Sequence, residues 1–356
     1  MKRSHIFLLF TILILSAVLS ACAGGAGAAS TWPGLSADEN TAYLAFNQHV
    51  YAVDLSNGSE KWRFPAEGNN KISFFATPTL TTDGQLLVGG FDNVLYSLDP
   101  ASGSQNWTFN DATNRYIGSP LTSEKGIYAP NADDNLYALD LDGKKRWSYQ
   151  TQGPNWAKPE KDTDCSCIYL PSMDHRLYAV DEDSGSLIWK TEDLGGSIVG
   201  TPAYGTEDVL YVGTFKSELL AINAENGEII WRVPTTGWGW AGPSLKDGQI
   251  YFGDLKGVFY AVDAGDGSEL WRVQSDGVIS ETPLVADDTI YFTTEAGTLY
   301  AVEFSGSTKW SKAIGGKLYT TPVLAGDSLI LAPVGAQSTL LALDLSGNQK
   351  WAYTPE

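Results

Sequence analysis

A chain of 356 residues exceeds the usual span of one domain, but a repeating architecture lengthens a single core without dividing it, so repeats are sought first. The 42 acidic residues outnumber 23 Lys and Arg, and loss of Lys2 and Arg3 with an N-terminal leader leaves a net charge near −21. Such a surface repels phosphate backbones and anionic headgroups, which excludes nucleic-acid binding and leaves membrane attachment to something other than charge.

Lys2 and Arg3 precede an apolar run from Ile6 to Leu19, broken by Thr11 and Ser16. A basic start and a short apolar stretch have the order of a secretory signal, whereas a membrane span needs about 20 apolar residues. The run ends in Leu19-Ser20-Ala21-Cys22, which resembles the lipobox of bacterial lipoproteins. The resemblance implies cleavage before Cys22 and a diacylglycerol on its sulfur. Residues 1–21 are thus expected to be a signal peptide, and residues 22–30, small and Gly-rich after Cys22, a flexible tether. The folded body, residues 31–356, is expected on the extracytoplasmic side, in the periplasm at the outer membrane or on the outer face of the cytoplasmic membrane.

From there the chain repeats. Trp62, Trp107, Trp147, Trp189, Trp231, Trp271, Trp310 and Trp351 follow one another at spacings of 39 to 45 residues. Four residues before each stands a glycine: Gly58, Gly103, Gly143, Gly185, Gly227, Gly267, Gly306 and Gly347. Seven or eight residues before each stands Asp54, Asp99, Asp140, Asp181, Asn223, Asp263, Glu303 or Asp344, preceded by a strand such as Leu136-Tyr137-Ala138-Leu139. This is a hairpin, in which the polar side chain bonds turn amides, glycine takes the left-handed backbone conformation and the chain returns carrying the Trp. Upstream of each hairpin lie a further strand and a segment ending in Pro33, Pro78, Pro120, Pro159, Pro202, Pro243, Pro283 or Pro322. Four short strands per period predict an all-β fold, an eight-bladed β-propeller of four-stranded antiparallel blades, each covered by its neighbours. All four strands of each blade are contiguous in sequence, so the ring is expected to close by side-chain packing between first and last blades.

The pattern Ala261-x-Asp263-x-x-x-Gly267-x-x-x-Trp271 resembles the tryptophan-docking motif of pyrroloquinoline-quinone (PQQ) type propeller repeats, and it recurs over residues 31–356. Such repeats occur in quinoprotein dehydrogenases and in the non-enzymatic propeller lipoprotein of the outer-membrane β-barrel assembly machinery. The resemblance implies that each docking Trp stacks on the neighbouring blade and is structural. A WD40 reading would place Asp after the Trp, and none of the eight is followed by Asp.

Working surfaces are sought where repeats disagree. Two residues before the Pro stand Ala76, Gly118, Ala157, Gly200, Ala241, Glu281 and Thr320, small side chains expected on a crowded inner wall, with Glu281 the exception. Lys158 breaks the next column, where hydroxyls predominate. Three before the Pro, Phe75, Trp156, Trp240 and Tyr319 are aromatic, and Trp238-Gly239-Trp240 is the leading candidate. Trp156, Lys158, Trp238, Trp240, Glu281 and Tyr319 are therefore the candidate ligand- or partner-binding residues at the channel mouth, with inter-blade packing the competing role for the rings. Cys165 and Cys167 flank Ser166 near a strand start, too far apart in an extended chain for an unstrained bridge; free or partly buried thiols are expected, a disulfide being the alternative. Asp162, Asp164 and His175 match no tetrahedral spacing, so no metal site is expected.

No phosphate loop, His-Glu-x-x-His pair or serine elbow is present, and no catalytic residue is assigned. The enzymatic rival is quinoprotein chemistry, for which the resemblance implies PQQ with calcium at the propeller axis. Many such enzymes stack the quinone on adjacent cysteines, whereas Ser166 separates this pair, and the near-uniform repeats leave little chain for a cap. The expected function is that of a non-enzymatic protein-binding scaffold in the cell envelope, a monomer as a folded unit, tethered by lipid and docking an envelope protein. Carbohydrate or cell-wall binding through the aromatic face is the further alternative.

Overall fold

The computed structural model describes residues 32–162, 165–205 and 207–356. The expected leader, Cys22 and the tether lie outside these residues. Among them there is no helix; the chain forms eight four-stranded antiparallel sheets, seven from consecutive strands and the last interrupted by Pro333–Val334, which pairs with Lys317–Leu318 in a small two-stranded sheet. Blade 1 is Gly34–Ala37, Thr41–Phe46, His49–Asp54 and Glu60–Phe64. Blades 2 to 8 occupy residues 79–109, 121–150, 160–190, 203–234, 244–274, 284–313 and 323–353. The expected architecture is therefore the observed one, with every strand contributed in sequence order.

The second and third strands of each blade are buried along nearly their whole length, as in the Thr41–Phe46 and His49–Asp54 pair. A sheet between two neighbours has no solvent face, so these strands are runs of Val, Leu, Ile, Tyr and Ala without polar alternation. Eight apolar clusters fill the eight seams; one joins Tyr43, Ala45 and Val50 of blade 1 to Leu86, Val88 and Leu98 of blade 2. Outer strands instead alternate exposed and half-buried positions, as Lys145–Gln150 does.

The hairpins confirm the turn reading. Asp54 Oδ1 accepts from Ser56 N at 2.9 Å and Gly58 N donates to Asp54 O at 2.8 Å, with Gly58 at φ 75°. In every blade the ladder shifts by one residue beside the Trp, and the cross-strand partner of the Trp is small: Ala52 faces Trp62 and Ser97 faces Trp107. A bulge of this kind twists the outer strand, and the small partner leaves room for the indole to reach across the seam.

The indoles do reach across. Trp189 Nε1 donates to Ala224 O of blade 5 at 2.8 Å, and Trp62, Trp147, Trp231 and Trp271 make the equivalent bond to the blade that follows. At seven hairpin glycines an added Cβ would lie 2.4 to 2.9 Å from the indole of the preceding blade, so only glycine fits beneath the ring. The same bond closes the circle, from Trp351 Nε1 to Leu55 O at 2.7 Å, with the ring over Gly58. Arg63 donates to Glu356 O at 3.3 Å and the Tyr353 hydroxyl bonds Glu60, so the closing seam carries hydrogen bonds as well as the packing expected of it.

The cysteine expectation is corrected: Cys165 and Cys167 form a disulfide. Ser166 between them lies at φ 54°, and this left-handed residue folds the chain back. The Cα atoms are therefore 5.2 Å apart, less than the roughly 6.6 Å of an extended dipeptide step.

Candidate functional site

Each outer strand leads by a loop into the inner strand of the next blade, and these loops share one face with the turns between second and third strands. Backbone bonds fasten the two sets together. Within blades, Phe91 N donates to Ser73 O, Met173 N to Pro154 O, Phe215 N to Ser197 O, Leu255 N to Trp238 O and Glu295 N to Val278 O, at 2.8 to 3.1 Å. Between blades, Asn155 N donates to Asn131 O, Ile198 N to Ser172 O, Gly239 N to Thr214 O and Ile279 N to Asp254 O. A face held by its backbone presents side chains without ordering loops first, which lowers the entropic cost of binding.

Trp238 and Trp240 sit at the seam of blades 5 and 6. Trp238 is 54% exposed, the most open of the large apolar side chains among the described residues. Its ring stacks on Phe215 at 5.5 Å and 17°, and Trp240 lies tilted at 31°, 5.4 Å from the same Phe215. Phe215 belongs to the turn of blade 5 and was absent from the sequence-based candidates, although aligning the turn columns of the repeats would have shown it beside Phe91. Gly239 packs on blade 5, where an added Cβ would come 3.2 Å from Gly213 Cα. The glycine thus lets the loop lie against the neighbouring turn, which brings both indoles to one phenyl ring. Exposed Lys216 and Lys256 flank the group, with Lys216 Nζ 3.4 Å from Glu218. A second aromatic group joins Trp32, Phe75 and Phe91, with Phe75 and Phe91 centroids 4.0 Å apart and the Arg115 guanidinium 5.1 Å over Phe91.

The remaining candidates lie elsewhere around the mouth. Trp156 and Lys158 enter blade 4, Glu281 enters blade 7 and Tyr319 enters blade 8; all four are half-buried. The inner wall is as crowded as its small residues predicted: a Cβ on Gly118 would lie 2.7 Å from Trp156 O, and one on Gly200 2.3 Å from Gly242 N. Burial, with Glu295 nearby, holds the Glu281 carboxyl well above the usual carboxylate range. Burial likewise pushes Glu160 up, against the nearby Lys158 ammonium. Five buried polar atoms on these entry loops have no hydrogen-bond partner among the described residues: Tyr116 Oη, Asn155 Nδ2, Trp156 Nε1, Ser280 Oγ and Thr320 Oγ1. Lys317 Nζ lies 5.7 Å from the Tyr319 ring.

The cysteine pair is not placed to stack a quinone at the mouth. Cys165 and Cys167 lie where the inner strand of blade 4 turns into the second, at the end opposite the entry loops, so they present no stacking surface at the mouth. Asp162 accepts from the hydroxyls of Tyr169 and Tyr204 at 3.1 and 3.0 Å. Among the described residues no group of three or more His, Cys, Asp or Glu is placed to hold a metal ion.

Comparison with known proteins agrees with this anatomy. No curated protein sequence matches the chain. Among solved structures, BamB from Moraxella catarrhalis superposes with a TM-score of 0.72 at 17% identity, over 86% of this chain and 92% of that one. The computationally designed Ika8 protein gives 0.77 at 11% identity over 89% and 97%, and a europium-containing methanol dehydrogenase 0.70 at 13% over 84% and 81%. At such identities these likenesses show the fold alone, and they include one enzyme and one design. The sequence itself is matched over residues 46–163, 173–284 and 255–356 by a single family, so this chain of eight docked blades belongs to the family described as outer membrane protein assembly factor BamB.

Proposed function

We propose that this protein is a lipid-anchored, extracytoplasmic propeller that acts as a non-enzymatic protein-binding scaffold in the cell envelope. The observation that carries the reading is the Trp238, Phe215 and Trp240 group: Trp238 stacked on Phe215 and Trp240 tilted against it on a backbone-clamped face, with Trp238 54% exposed. Exposed aromatic side chains on a rigid base are the common anchors of protein interfaces. Membership of the assembly-factor family supports a protein partner in the envelope, and the lipobox-like sequence ending at Cys22 supports the anchor.

Two measurements test it. Chemical crosslinking in native membranes should capture a discrete partner, and the Trp238→Ala, Trp240→Ala double variant should lose at least nine-tenths of that product; an unchanged product means that the binding face lies elsewhere. Cys22→Ser should move the protein from the membrane pellet to the soluble fraction, and continued pelleting rejects the anchor.

A second reading rests on the unpartnered polar atoms of the entry loops, which offer hydrogen bonds to a small polar guest such as a glycan. Titration with cell-wall oligosaccharides, and separately with PQQ plus calcium, followed by Trp fluorescence, separates these ligands. Saturable quenching at micromolar concentration by either one favours this reading over the scaffold.

A further inference from the structure

We propose that the Cys165–Cys167 disulfide is a thiol–disulfide exchange site that accepts two electrons from an exposed dithiol. A bridge that closes a loop of three residues lies at the small end of the loop-entropy scale and adds little as a staple. It also crosses no seam, because both cysteines belong to blade 4, Cys165 to the connection after Glu160–Lys161 and Cys167 to the start of Cys167–Pro171. Its two sulfurs are unequally placed: Cys165 is exposed, while Cys167 is 4% exposed and begins a buried strand. That is the division of labour of an exchanging pair, one sulfur open to attack and a shielded one that leaves.

A cation stands beside the connection that carries the pair. The Lys125 ammonium, fixed 2.8 Å from Asp183, donates to Ser166 Oγ at 3.2 Å and so places a cation beside the residue between the two cysteines. A neighbouring ammonium favours the thiolate form. The Tyr169 hydroxyl lies 3.8 Å from Cys165 Sγ, and Cys167 Sγ lies 3.6 Å from Cys165 O. The site stands at the end of blade 4 opposite the entry loops, so exchange is separate from the proposed partner face.

A thiolate of the dithiol attacks Cys165 Sγ; a new S–S bond forms, the Cys165–Cys167 bond breaks, and its electron pair leaves on Cys167, which takes a proton from solvent. The second thiol of the donor, deprotonated, then attacks its own sulfur in the mixed disulfide and releases Cys165 as a thiolate, protonated in turn. The cysteine pair gains two electrons and two protons, and the donor departs as a disulfide.

The test uses the full-length protein, purified without reductant, with peptide-level mass spectrometry after maleimide alkylation. Dithiothreitol should open the bridge while far-ultraviolet circular dichroism stays native, and oxidised glutathione should close it again. In single variants, Cys167→Ala should form a glutathione adduct at Cys165 at least tenfold faster than Cys165→Ala forms one at Cys167. Lys125→Met should slow the Cys165 adduct, and Lys125→Arg should restore its rate. Two free thiols in the purified protein, a bridge that opens only when the propeller unfolds, or equal adduct rates at the two sulfurs would each overturn the proposal.

Discussion

Trp231 and Trp238 stand seven residues apart in one chain and end in opposite surroundings. The Trp231 ring lies over Gly267 of the next blade, and its indole donates to Ala264 O at 3.2 Å. Trp238 stacks on Phe215 and leaves 54% of its surface in solvent. The first belongs to a column repeated in all eight blades, the second to a loop where the repeats diverge. Repetition marks the side chains that hold the ring, and divergence marks those left over for something outside it.

That contrast predicts a ladder of effects. Trp231→Ala should cost about 3–5 kcal/mol in denaturant unfolding, since it removes a large ring and its bond across a seam. A loss within about 0.5 kcal/mol would mean that the docking column is not what holds the blades. Gly143→Ala comes next, at about 1–3 kcal/mol, because the new methyl would press to 2.4 Å from Trp107. Gly84 has a similar positive φ, 84°, but nothing within 4 Å, so Gly84→Ala isolates the backbone cost, about 1 kcal/mol. If the two glycine variants unfold alike, the close fit under the indole contributes nothing.

Glu182 sharpens the comparison from the side of charge. Burial alone would raise its carboxyl, but hydrogen bonds from Ser123, Lys161 and Tyr128 hold it below its ordinary value. A carboxyl lowered in the folded state stabilises above its unfolded pKa of about 4.3, and that stability is lost as pH falls through the folded value. The wild-type thermal midpoint should therefore fall below about pH 4.3, and Glu182→Gln should flatten that part of the curve. Identical pH profiles would show that the buried cluster does not link the third and fourth blades through charge. The smallest effect is expected at Trp238→Ala, within about 0.5 kcal/mol of wild type, as at a surface site.

Much of this was legible in the sequence because it is local. The Asp, Gly and Trp columns span nine residues or fewer, and each residue has its own reason: a side-chain bond to the turn, a left-handed backbone, a ring to dock. Eight such units then dictate a ring. Phe215 was missed because its partnership with Trp238 and Trp240 exists only once blade 6 lies beside blade 5, more than 20 residues along the chain. The disulfide was missed because extended geometry was assumed at Ser166, whose positive φ shortens the span. Glu182 sits one residue after the hairpin Asp181, where other blades carry apolar residues; only the structure shows Lys161 and Ser123 converging on it.

The claim that divergence from the repeat marks the working face is tested most directly by photo-crosslinking from two positions. Lys216 stands beside the stacked rings, and Asn226 lies on a hairpin at the opposite end of the same blade. With benzoylphenylalanine at each in turn, illumination of intact cells should give a discrete crosslinked protein from position 216 and none from 226. A product from 226 alone, or the same product from both, would contradict the assignment of the binding face.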